Sequence, residues 1–171
     1  MTEKTPLLAA IDSFREDVKP DADTIVVCDD EEMLRRLIGR SIRRVTDSAS
    51  AKINVVEFPN AESALSLLAD EPHAKRILAV VSDRNMGRGL KGEDFARALR
   101  DDLQDSETPF LMQTSDVHVP TVISSFTSGR VDALLEKPFD GENLVAAIAH
   151  AITARLEKVE AEALTMATLE V

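Results

Sequence analysis

Thr24-Ile25-Val26-Val27-Cys28-Asp29-Asp30 is an unbroken apolar run, mostly β-branched, that stops abruptly at two carboxylates. A run without polar alternation is a strand buried on both faces, which is the habit of a parallel sheet. Ile77-Leu78-Ala79-Val80-Val81 repeats the pattern and is followed closely by another acid, Asp83. Working outward from these two runs, further strands are predicted at 53–58, 110–112 and 131–135. Helical spacing fills the intervals: 31–45, a helix from Ala61 behind an Asn60 cap, 93–103 and 119–126. A last helix begins after Asp140 and keeps apolar positions at Leu144, Ile148, Ile152, Leu156 and Val159, continuing to about residue 163. Before the first strand, Thr5 caps a helix with Pro6 in its first turn and Leu7, Ile11, Phe14 and Val18 along one side. Lys19-Pro20 ends it.

Five strands alternating with helices predict an α/β fold: a doubly wound five-stranded parallel sheet, with an extra N-terminal helix and a long C-terminal one. The chain has 171 residues, room for one domain with short attachments. The divisions expected are 1–22, 23–151 and 152–171. At 44% hydrophobic and 30% charged it can bury a core. Its 31 Asp and Glu outweigh 20 Lys and Arg, a net charge of −11, which disfavours nucleic acid as a partner. No apolar run reaches the roughly 18 residues of a membrane helix. Residues 1–4 lead into no signal-type segment. A single cysteine, Cys28, excludes an internal disulfide and suits a reducing cytoplasm.

In doubly wound sheets ligands sit at the carboxyl ends of the strands. Reading those ends in turn gives Asp29, Asp30 and Glu31 after the first strand and Asp83 after the third. Thr114 and Ser115 follow the fourth, and Lys137-Pro138 the fifth. Three carboxylates, a hydroxyl and an ammonium thus converge on one cleft. Neighbouring carboxylates repel unless a cation intervenes, and an all-oxygen set suits Mg²⁺. A carboxylate held beside such an ion and an ammonium can attack a phosphoryl donor to give an acyl phosphate, with Lys137 and Thr114 contacting the phosphoryl oxygens.

Four segments carry a resemblance. They are Ile25-Val26-Val27-Cys28-Asp29-Asp30, Val80-Val81-Ser82-Asp83-Arg84-Asn85-Met86, Pro109-Phe110-Leu111-Met112-Gln113-Thr114-Ser115 and Leu134-Leu135-Glu136-Lys137-Pro138-Phe139-Asp140. In this order and spacing, 24–151 resembles the receiver domain of bacterial response regulators, a flavodoxin-like fold. The resemblance implies that Asp83 is the phosphoacceptor and Asp30 a direct Mg²⁺ ligand. It implies that Asp29 acts on the metal through water and pairs with Lys137, and that the Asn85 backbone carbonyl completes the set. Thr114 would be the switch hydroxyl, Lys137-Pro138 a cis peptide, and Asn85 and Asp116 would tune phosphoryl lifetime. The implied partners are a histidine kinase or histidine phosphotransfer protein and a downstream protein target. The chemistry is slow self-phosphorylation and self-hydrolysis, not metabolic turnover.

The sequence departs from the family at several points. Leu134 stands where the family carries an aromatic ring that turns inward on activation. Gly87 replaces the usual proline and opens Gly87-Arg88-Gly89-Leu90-Lys91-Gly92, predicting a longer, more mobile loop. The interval from Asp29 to Asp83 is long, with insertions expected at 46–52 and 70–76. Gly87-x-Gly89-x-x-Gly92 is formally a dinucleotide fingerprint, but it follows the third strand at a distance rather than the first directly. Arg35, Arg36, Arg40, Arg43 and Arg44 crowd one helix, either as a docking face for a kinase or as an ordinary solvated face. His73, His118 and His150 are too scattered for a metal cluster. The C-terminal extension suggests pairing with a second copy or a partner. Three other functions compete with the phosphoacceptor: an interaction module that needs no phosphorylation, an aspartyl phosphoesterase, and the receiver portion of a larger regulator.

Overall fold

The computed structural model describes residues 3–47 and 52–170. Of the insertion expected at 46–52, residues 48–51 lie outside the described residues. The strands are β1 (Thr24–Cys28), β2 (Asn54–Phe58), β3 (Ile77–Asp83), β4 (Phe110–Thr114) and β5 (Ala133–Glu136). All pair in parallel, in the order β2-β1-β3-β4-β5. The order reverses between β1 and β3, so a crevice opens at their carboxyl ends.

The helices are α1 (Pro6–Asp17), α2 (Glu32–Thr46), α3 (Ala61–Leu68), α4 (Glu71–Ala74), α5 (Gly92–Arg97), α6 (Pro120–Thr127) and α7 (Gly141–Leu169). The caps form as their residue types require: the Thr5 hydroxyl accepts from Leu8 N–H, and the Asn60 and Asp140 side chains accept from Ser63 and Asn143. Alternate residues of β1 face opposite layers. Ile25 and Val27 join Ile38 and Ile42 of α2 and Ile148 and Ile152 of α7, while Val26 and Cys28 join Ala64 of α3, Phe95 of α5 and Val122 of α6. α1 adds a third tier to the first layer, burying Leu7, Ile11 and Phe14 completely against α7 and its neighbours.

Several boundaries differ from the sequence expectation. β3 and β4 run on through Asp83 and Thr114, because ladder pairing to Gln113 and Glu136 continues past the apolar stretch. The expected insertion at 70–76 folds as α4. The helix expected over 93–103 is α5 followed by a π-helical turn, Ala98–Asp102. α7 passes residue 163 and ends at Leu169, since nothing in that stretch breaks a helix. Lys19, expected only as a helix breaker, is buried and donates to the Ala74 and Ile77 carbonyls and the Thr108 hydroxyl, tying α1 to the start of β3. Burial holds its ammonium below the usual lysine range.

Candidate functional site

Asp29 follows β1 and is almost wholly buried, 1% exposed. Its Oδ1 accepts from the Glu31 N–H at 2.9 Å and its Oδ2 from Gln113 Nε2 at 3.1 Å. Arg35 turns inward from α2 and donates to the Asp29 carbonyl at 2.6 Å. Asp83 closes β3 and is also buried. Lys137, just past β5, brings its Nζ to 2.9 Å from Asp83 Oδ1 and 3.9 Å from Asp29 Oδ2. Asp30 is exposed beside them, and carboxylate oxygens of Asp29, Asp30 and Asp83 lie within 4.8 Å of one another. Among the described residues this is the only group of three or more acids, histidines or cysteines so gathered.

Burial pushes the Asp29 carboxyl up to about 6; Asp83 and Asp30 push the same way, against the Glu31 N–H and Lys137. Three acids facing one ammonium form a site with surplus negative charge, and a divalent cation relieves that surplus. The donors are all hard oxygens, so the residues present fit Mg²⁺. Asn85 lies exposed in the loop after β3, two residues from Asp83.

The structure holds Thr114 in its own turn: the hydroxyl donates to the Asp116 carbonyl at 3.2 Å and accepts from the Asp116 N–H at 3.1 Å. The Asp116 carboxylate accepts from the His118 N–H at 2.8 Å. Leu134 is half-buried on β5, packed on the layer that holds Phe95, Met112 and Val122. The Lys137-Pro138 bond is cis. Burial raises the Cys28 thiol above its ordinary range, and it packs as a core side chain.

The glycine-rich loop, 84–91, is closed by the Gly92 N–H donating to the Arg84 carbonyl at 2.8 Å and fastened by Glu62 Oε1, which accepts from Leu90 N–H at 2.9 Å. Gly87 has φ +74°, a conformation that favours glycine. At Gly92 a Cβ would come within 3.0 Å of the Asp83 carbonyl, so this glycine serves close approach to the strand end. The Gly-x-Gly-x-x-Gly pattern is therefore accounted for by loop geometry.

Besides Arg35, which the sequence offered only for a docking or solvated face, two contributors escaped the sequence reading. Gln113 was legible in principle, being an amide inside a fully buried strand. The other is the chain of bonds from Arg84 Nε to Glu93 Oε1 (3.0 Å) and from Thr121 Oγ1 to Glu93 Oε2 (2.8 Å), which links the residue after Asp83 to the start of α6. Charge spacing along the chain carries no sign of it.

The sequence profile of one family, the response regulator receiver domain, matches residues 25–149. No curated protein sequence matches the chain. Solved structures similar to it include the chemotaxis response regulator CheY4 of Vibrio cholerae, at TM-score 0.60 and 22% identity over 76% of this chain and 98% of that one. The signal receiver domain of an HD domain-containing protein from Pseudomonas fluorescens matches at TM-score 0.65 and 18% identity, over 82% and 93%. A structure described as adenylate cyclase from Rhodopirellula baltica matches at 0.64 and 20%, over 85% and 98%.

Proposed function

The chain belongs to the response regulator receiver domain family, and from that premise we propose that it is a phosphoacceptor switch modified on Asp83 and read out through protein–protein contacts. Residues 23–151 form the receiver unit in this proposal, with 1–22 and 152–171 as helical extensions. The phosphodonor is a phosphohistidine on a histidine kinase or phosphotransfer protein. An Asp83 Oδ attacks phosphorus, the P–N bond breaks, and the departing imidazole nitrogen keeps the electron pair and takes a proton from solvent. Hydrolysis reverses the state: water attacks phosphorus, the P–O bond to Asp83 breaks, and inorganic phosphate leaves. Self-phosphorylation from a small phosphodonor and self-hydrolysis are the slow, intrinsic reactions of the chain itself.

Lys137 is positioned to move from Asp83 Oδ1 to a phosphoryl oxygen. Gln113 and the Glu31 N–H hold the Asp29 carboxylate toward the cleft. Asp29, Asp30, Asp83 and the Asn85 carbonyl would hold Mg²⁺, which when bound neutralises charge on the phosphoryl oxygens. For Thr114 to reach the phosphoryl group it must leave its bonds to Asp116, and Asp116 beside it sets access for water. Leu134 removes ring rotation from the route to the output face. A homodimer through the C-terminal helix belongs to the same proposal.

The observation that supports it most directly is Lys137 Nζ at 2.9 Å from a buried carboxylate within a three-acid cluster. Intact mass after incubation with Mg²⁺ and acetyl phosphate tests it. One phosphoryl adduct is expected on the wild type and none on Asp83→Asn. No adduct on either, together with no Mg²⁺ binding by titration calorimetry, leaves an interaction module that works without phosphorylation.

A further inference from the structure

Leu156 is the last buried residue of α7, and residues 160–170 are exposed throughout. From Leu156 to Leu169 the helix reaches about 20 Å at roughly 1.5 Å per residue. Leu164, Met166 and Leu169 are 71%, 60% and 76% exposed, and no charge falls between Ala163 and Leu169. Bare apolar surface of this kind marks an interaction face. At about 100° per residue, Glu162, Met166 and Leu169 share one side of the helix, acidic first and apolar after.

A second bare stripe lies on α2. Met33 and Leu37 are 81% and 51% exposed, and Arg40 and Arg44 follow them, exposed, on the same side. This stripe is apolar first and basic after. Laid antiparallel, the two agree in spacing and in charge. The interval from Glu162 to Leu169 equals that from Met33 to Arg40, so Leu169 falls on Met33, Met166 beside Leu37, and Glu162 on Arg40. α7 is one unbroken helix, so its tail does not turn back onto α2 of the same chain.

We propose that the α7 tail of one copy docks antiparallel on α2 of a second copy, reciprocally, in a closed two-fold dimer. The inference rests on the homodimer proposed above and adds the surface that receives the helix. Met33 lies in the first turn of α2, three residues after Asp30, so the occupied dimer covers ground that a phosphodonor protein must approach.

Light scattering on the full chain across a dilution series is the test. The expected result is a dimer for the wild type, a monomer for Arg40→Glu and for Glu162→Arg, and a dimer restored when both swaps are combined. Both side chains are exposed, Glu162 at the mouth of a pocket that also holds Arg100 and Arg155, and circular dichroism verifies that each variant is folded. A wild type that is monomeric at every concentration overturns the docking together with the homodimer. A dimer that survives Arg40→Glu but is lost in Met166→Ser overturns the α2 docking alone and assigns the contact to tail against tail. A double variant that stays monomeric likewise overturns the pairing of Glu162 with Arg40.

Discussion

Asp29 concentrates the chemistry of the site in one side chain. It is buried, its neighbours Asp30 and Asp83 are acidic, and its carboxyl is lifted to about 6 from an ordinary 3.8. A carboxyl raised in the folded state favours folding while protonated, so between roughly pH 4 and 6 the metal-free protein loses stability as pH rises. Above that window the penalty is constant. Asp29→Asn is therefore expected to melt at higher temperature than the wild type at pH 7.5 without Mg²⁺, with the difference shrinking toward pH 4. A thermal melt series in chelator checks this, and a variant less stable at pH 7.5 contradicts it. The acids at the strand ends were legible because a strand's end is where the apolar run stops. Gln113 and Arg35 were not read as site residues. The Gln113 amide stands out inside an apolar strand but its partner lies across the sheet, and nothing in local spacing distinguishes the Arg35 guanidinium from a solvated one.

The elements are joined at the amino ends of the strands by one buried carboxylate. Asp132, just before β5, accepts from Arg155 of α7 at 3.1 Å, Arg100 of the π-helical turn at 3.3 Å and the Phe110 N–H at 2.8 Å. Lys158 reaches its other oxygen at 2.7 Å. Burial and the nearby Arg155 pull the Arg100 guanidinium down to about 10, against the opposing pull of Asp132 and Asp105. Removing the negative partner leaves like charges facing each other in a low-dielectric pocket. Asp132→Asn is expected to cost about 3–5 kcal/mol in urea unfolding, with the phosphoryl adduct at Asp83 retained by the folded fraction. A change below about 1 kcal/mol, the range of surface pairs, shows that water already screens the cluster. Hydrophobic spacing predicted α7 and its apolar stripe, but a charged residue on the helix's inner side reads as an interruption until its partner is seen. The π-helical turn was likewise invisible, because one extra residue in a helix changes the apolar period too little to register over a single turn.

Across the whole molecule, α1 makes the sheet's first side two helices deep, with Phe14 at its centre, fully buried. Phe14→Ala is expected to cost about 3–5 kcal/mol by chemical denaturation, from lost transfer energy and the cavity left behind. Mg²⁺ affinity should be unchanged, since α1 packs chiefly on α7 and none of its described hydrogen bonds or ion pairs reaches the site; a parallel fall in affinity contradicts that separation. The sheet, its parallel sense and the helix order were readable because period and punctuation are local properties. How α1 and the end of α7 are deployed was not, because an amphipathic helix declares an apolar face but not what covers it. α7 itself begins four residues after Lys137 and continues for 29 residues without a break. At about 1.5 Å per residue it is a rod roughly 42 Å long, clamped in the core as far as Leu156 and exposed from residue 160 onward. A tilt of about 5° at Leu156 carries the far tip through about 2 Å, less than half the pitch of one helical turn.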